Sequence, residues 1–148
     1  FGSYSIQFVI LLVSTVFLCF SLMSMIFGHW YLVNKELPIS HLIKRTRALM
    51  IITYVRLATV AFSLFITYQN SSPEAFSRLT DFMGHGVIFW ARILAGLGIP
   101  LLVAHLSYAS AKIKSNQSAT GIMYAGLIFV IMGELLGLYL YTLTGYLF

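Results

Sequence analysis

The amino-acid sequence predicts an all-α integral membrane protein: an antiparallel four-helix transmembrane bundle with a short amphipathic helix on its outer surface. Three observations lead there. Of 148 residues, 59% are apolar and only 9% charged, whereas a soluble domain carries about a quarter charged residues. Four windows of roughly 20 apolar residues recur along the chain, each long enough to cross a bilayer as a helix. Basic residues crowd the first and third connections between those windows and are scarce in the second, the asymmetry of short loops in a multi-pass protein. Four acidic side chains cannot supply the charged surface a soluble enzyme or regulator needs. The same composition excludes disorder and a collagen-like chain, and a single cysteine, Cys19, excludes a disulfide scaffold.

The first window, about 6–32, holds no charge. It has no basic leading segment and no small-residue cleavage site, and it is too long for a signal peptide, so it is expected to be a resident helix. The second, about 48–68, contains Arg56, and the segment from Pro38 to Arg47 is expected to begin that helix before it enters lipid. The third, about 86–109, contains Arg92, Pro100 and His105; the fourth, about 120–147, contains Glu134. Lipid offers no partner to backbone amides, so helices are the expected spanning form, and the alternating pattern of a membrane barrel is absent. No repeat, low-complexity tract or linker divides the chain, which reads as one domain over 1–148.

Orientation follows from the connections. Lys35, Lys44, Arg45 and Arg47 lie between the first two windows and Lys112 and Lys114 between the last two, against Arg78 alone in the middle connection. Six basic residues against one put both termini outside and the basic loops in the cytoplasm or an equivalent compartment. Most of the net charge of +5 is this asymmetry, which leaves little for nucleic-acid binding. In the outer connection, Ser72-Pro73-Glu74 reads as an N-cap, a proline at the first helical position and an acid in the first turn. Ala75, Phe76, Leu79, Phe82 and Met83 follow at helical spacing, which suits a short helix lying on the outer membrane surface.

Two sets of residues are candidates for chemistry. His29, in the run G-H-W-Y-L, and His105 lie near the inner ends of the first and third windows, at similar depth when counted at about 1.5 Å per residue. Two imidazoles on facing helices are the axial set for one haem b iron. Gly28, Ala104 and Ser107 would leave room for the macrocycle, with Arg45 and Arg47 at a depth to meet its propionates. The competing expectation is that the histidines hydrogen-bond between helices or sit at an interface, with Trp30 and Tyr31 beside His29 resembling an aromatic belt. His41 in the basic loop and His85 at the outer mouth of the third window read as solvated or capping residues, with His85 a candidate proton-exchange group at an outer quinone pocket.

The second set is ionic. Arg92 and Glu134 lie at comparable depth below the outer surface, and Arg56 nearer the midplane. A charge at the bilayer centre costs at least ~2.5 kcal/mol, so such groups face the bundle interior and pair. Arg92 with Glu134 is the expected pair, leaving Arg56 as a surplus cation in need of an anion, a carbonyl cluster or a neighbouring subunit. Glu134 would then accept protons in quinol oxidation, with Arg92 or Arg56 binding an anionic group or a propionate; the plainer expectation is an interhelical clamp. Small residues are the last signal. Ala91, Ala95, Gly96 and Gly98 precede Pro100, which removes the hydrogen bond to the Gly96 carbonyl, and Gly133 and Gly137 have the spacing of close helix packing in lipid.

The leading functional expectation is a redox membrane subunit that holds haem b between His29 and His105 and passes electrons between a quinone and a partner complex. Its near equal is a cofactor-free accessory subunit packed against larger membrane proteins. A small proton or solute pathway comes third, because no inverted half-repeat is present. No zinc, c-type haem, P-loop or dinucleotide motif occurs. The four-helix layout with intramembrane histidines resembles small cytochrome b-type membrane anchors, in architecture alone and with no residue assignment.

Overall fold

The computed structural model describes residues 2–34, 38–70, 77, 80–81 and 86–145. Helix α1 spans Gly2–Val33 and α2 Ile39–Asn70. The third span begins as α3, Gly86–Ile93, passes through a π-helical turn at Leu94–Gly98 and continues as α4, Ile99–Lys112. Helix α5 covers Asn116–Thr144. Four stretches, Ser5–Val33, Ile39–Gln69, Gly86–Lys112 and Asn116–Thr144, are long and apolar enough to cross a membrane, so the chain is a multi-pass integral membrane protein. The segment before Arg47 does begin α2. The outer-surface helix expected from Ser72 to Met83 lies largely outside the described residues, as does His85.

The four spans stand as a square in the order α1, α2, third span, α5, and α5 closes back on α1. Contacts give their relative directions. Gln7 and Ser14 of α1 reach Gly145 and Glu134 near the end of α5, while Gly28 meets Thr120 near its beginning. Tyr54 of α2 meets His105, and Arg47 meets Tyr108 further along α4.

Burial explains why these helices associate where lipid removes most of the hydrophobic drive. On α2 the buried residues are Leu42, Thr46, Leu49, Thr53, Arg56, Val60, Ser63 and Thr67. On α5 they include Ala119, Met123, Gly126, Val130, Gly133, Gly137 and Leu140. Both series alternate spacings of four and three, the 3.5-residue repeat of a left-handed bundle. Half of the α2 stripe is hydroxylated, yet Thr46, Thr53 and Thr67 each donate to the backbone carbonyl four residues earlier, as do Ser21 and Ser24 on α1. A hydroxyl satisfied by its own helix can occupy an interior position without a partner across the interface.

Two apolar clusters flank the bundle's middle. Tyr31, Leu42, Leu49, Ala104, Ala111, Ala119 and Met123 pack at the basic end; Val60, Phe89, Leu97 and Leu140 pack toward the other. The Tyr31 hydroxyl donates to the Pro38 carbonyl at 2.8 Å, tying the first connection to the core. At the end of α4 the N–H groups of Lys114 and Ser115 return to Ala111 and Ser110, a Schellman closure with Lys114 in the left-handed region at φ 61°. The third span differs from expectation at Pro100. The π turn just before it, in which Ile99 N–H reaches back to Leu94, widens the helix and adds one residue. Gly96 and Leu97 therefore both face inward, and Arg92 before the turn shares a buried side with Pro100, Ala104, Ser107 and Ala111 after it.

Candidate functional site

The charged residues within the middle of the spans converge in one place. Arg56, Arg92 and Glu134 are 1%, 0% and 8% exposed. The heptad-like stripes of α2 and α5 place Arg56 and Glu134 inward, and their long side chains meet across the diagonal of the square. Arg56 grips the carboxylate with two parallel bonds, Nε to Oε1 at 3.1 Å and Nη2 to Oε2 at 3.0 Å. Such a fork is the strongest arrangement for a guanidinium and a carboxylate. Arg92 adds a longer contact, Nη2 to Oε1 at 3.3 Å. The Ser14 hydroxyl of α1 donates to Oε2. One carboxylate thus joins all four spans.

This arrangement corrects the expected pairing. Arg92 does lie against Glu134, but Arg56 is its principal partner rather than a surplus cation. Depth counted along the sequence misjudged Arg56 because a guanidinium sits several bonds from its backbone, and lateral packing decides where that length is spent. Ser14 was not among the expected site residues. The signal for it was present: it continues the stripe Phe17, Ser21, Ser24 by one further step of three.

Gly133 and Gly137 do more than admit a neighbouring helix. A Cβ added at Gly96 would stand 2.7 Å from the Cα of Gly133, so α5 and the π turn touch backbone to backbone there. A Cβ at Gly133 would also stand 2.9 Å from Arg92 Nη1, and one at Gly137 would stand 3.1 Å from Arg92 Nε. The two glycines floor a slot in which the Arg92 guanidinium lies. Their spacing of four places both on one face of α5, beside Glu134. One turn toward the basic end, a cavity of about 20 Å³ is lined by all four spans, including Ser21, Thr53, Pro100 and Val130. That is room for about one water molecule.

The histidines are not brought together. His29 is exposed and packs edge-on against Tyr124, with ring centroids 6.3 Å apart, on the edge between α1 and α5. His105 is exposed on the opposite edge, between α4 and α2. Its Nδ1 lies 2.9 Å from the Leu101 carbonyl and its Nε2 3.0 Å from the Tyr54 hydroxyl. A carbonyl only accepts, so Nδ1 carries the proton and Tyr54 donates to Nε2. Opposite edges are separated by an interaxial distance of about 8–10 Å, whereas two imidazoles on one iron stand roughly 4 Å apart given bonds near 2 Å. Matching depth on two helices is not matching rotation.

The remaining basic residues gather at one end. Arg45 turns inward over Phe20 and Phe27, 4.8 and 5.3 Å from their ring centroids. Arg47 instead lies over the Tyr108 ring, which Lys112 also approaches. Among the described residues no group of three or more His, Cys, Asp or Glu could hold a metal ion. No protein-family model, no curated protein and no solved structure matches the chain.

Proposed function

We propose that this chain is a cofactor-free accessory subunit of a larger membrane assembly, an antiparallel bundle whose spans are locked by a buried ion triad so that its outer faces hold a fixed shape for neighbours. The observation that carries the reading is the single Glu134 carboxylate bonded from α1, α2 and the third span at once. Charges in a membrane interior are costly and are retained where they pair. A network reaching every helix specifies register, the best-attested use of buried ionic groups. His105 has both ring nitrogens engaged by Leu101 and Tyr54, which favours this reading over axial ligation. A haem b between His29 and His105, with Arg47 or Arg56 at its propionates and a quinone nearby, requires the bundle to rotate two helices, and it stands second. Proton transfer through Glu134 stands third.

The discriminating experiment is the oxidised and dithionite-reduced spectrum of the purified chain, combined with proton flux in liposomes. The accessory reading expects no α and β haem bands, no flux, and migration on native gels as part of a larger complex. Sharp reduced bands lost in both His29→Ala and His105→Ala, and retained in His41→Ala, would put the redox reading first. Flux abolished by Glu134→Gln in a protein that still folds would put the proton pathway first.

For orientation we propose both termini on the non-cytoplasmic side, supported by the six-to-one basic asymmetry. In a Cys19→Ser background, cysteines placed at Lys44 and Lys112 should react with an impermeant thiol reagent only from the cytoplasmic side. Labelling of both from outside reverses the assignment.

A further inference from the structure

We propose that the seam between α2 and α4 at the basic end of the bundle binds the phosphodiester headgroup of an anionic phospholipid, held by Arg47 and Lys112 around the ring of Tyr108. The two cations come from different helices and converge on one aromatic ring: Arg47 Cζ lies 6.0 Å and Lys112 Nζ 5.6 Å from the Tyr108 centroid. Residues 108 and 112 share a face of α4, and Arg47 lies two turns along α2 from Tyr54, which is bonded to His105. The seam thus runs from a closed polar pair in the spans to two cations at their end.

Like charges gathered at one ring repel, and an anion bound beside both relieves that repulsion. Among the described residues, Glu134 is committed to the triad in the interior and Asp81 lies at the opposite end of the bundle, while Glu36 of the first connection lies outside the described residues. Arg45, withdrawn over Phe20 and Phe27, does not compete for the same anion. Both Arg47 and Lys112 are exposed, at the ends of long side chains that close on a ligand without moving a helix. A guanidinium gives paired donors to phosphate oxygens and an ammonium adds a mobile charge. One turn deeper Ile51 is 54% exposed, an apolar wall for the first methylenes of an acyl chain. Basic sites between transmembrane helices take anionic headgroups by this combination of charge and adjoining apolar surface. The inference rests on the membrane-spanning fold and is independent of the accessory role.

The test is native mass spectrometry of the full chain released from detergent with dioleoyl-phosphatidylglycerol or dioleoyl-phosphatidylcholine. The expected result is retention of the anionic lipid at least about tenfold above the zwitterionic one, a margin two cations at a membrane surface supply. R47Q/K112Q should remove that preference and K44Q/K114Q should keep it, with helical circular dichroism unchanged in both. Tyr108→Leu, which leaves the net charge intact but removes the ring that gathers the cations, should lower retention severalfold. Inorganic phosphate should not displace the lipid. Equal retention of the two lipids overturns the proposal, as does an R47Q/K112Q protein that still prefers phosphatidylglycerol. So does equal loss in the K44Q/K114Q protein, which would mean diffuse attraction, or displacement by phosphate, which would mean a free-anion site.

Discussion

Glu134→Gln is expected to destabilise the bundle by about 3–5 kcal/mol, the range for removing one partner of a buried ion pair and leaving the other uncompensated. Glutamine preserves the shape of the side chain but takes the negative charge from between two guanidiniums that are 0–1% exposed. Both then remain charged in the interior. Arg56→Gln should cost more than Arg92→Gln, because Arg56 holds Glu134 with two bonds near 3.0 Å while Arg92 holds it with one at 3.3 Å. Ser14→Ala should cost only about 1 kcal/mol, since Glu134 keeps both cations. Replacing all three charged residues with methionine should come close to neutral, because desolvation and attraction then disappear together. Unfolding in mixed micelles, followed by near-ultraviolet circular dichroism, reads each of these. A Glu134→Gln protein within about 1 kcal/mol of the parent would remove the lock and with it the main support for the accessory reading.

The second large effect is at the glycine contact. Gly133→Ala should destabilise by about 1–3 kcal/mol, the cost of overpacking a close interface. Its Cβ meets the Cα of Gly96, a backbone atom that cannot swing aside, and Arg92 Nη1 at 2.9 Å. Gly137→Ala should cost less by itself, because the nearest atoms to its Cβ belong to the Arg92 side chain, from 3.1 Å, and not to a backbone. It should also be non-additive with Glu134→Gln, since both substitutions act on the same guanidinium. Gly28→Ala should destabilise less than Gly133→Ala: the nearest atom, Met123 Cε at 2.6 Å, ends a flexible side chain, although the hydrogen-bonded Thr120 side chain stands at 3.1 and 3.3 Å. Gly121, with nothing within 4 Å of an added Cβ, is the control, where alanine should stabilise by up to about 1 kcal/mol through helix propensity. If all four substitutions were stabilising, propensity rather than packing would govern these positions, and the slot for Arg92 would be an accident of spacing.

The spans and their number were legible because lipid solvation is a property of composition. A run of apolar residues long enough to cross a bilayer needs no tertiary information to be recognised, and all four runs became helices. That Arg56, Arg92 and Glu134 turn inward was legible for the same reason: the cost of a charge in hydrocarbon depends on the residue, whatever its neighbours. The start of α2 near Pro38 was legible as well, in a segment that carries no helix breaker after the proline itself.

Partners were not legible, because they depend on helix rotation and on the reach of side chains. Residue counting supplies the depth of His29 and His105 but not the edge of the square each one occupies, and rotation put them on opposite edges. It supplied the depth of Arg56 but not the several ångströms that its side chain adds toward Glu134. The π turn at Leu94–Gly98 shifts the register of everything after it by one residue, a change that a fixed helical period cannot anticipate. Gly133 and Gly137 carried the pattern of helix packing, yet whether the space they leave holds a backbone or a guanidinium depends on which residue of the third span lies opposite. Hydrophobicity adds up along a chain and can be read from it, whereas the choice of ion partner is settled by distances across the bundle that exist only once four helices have packed.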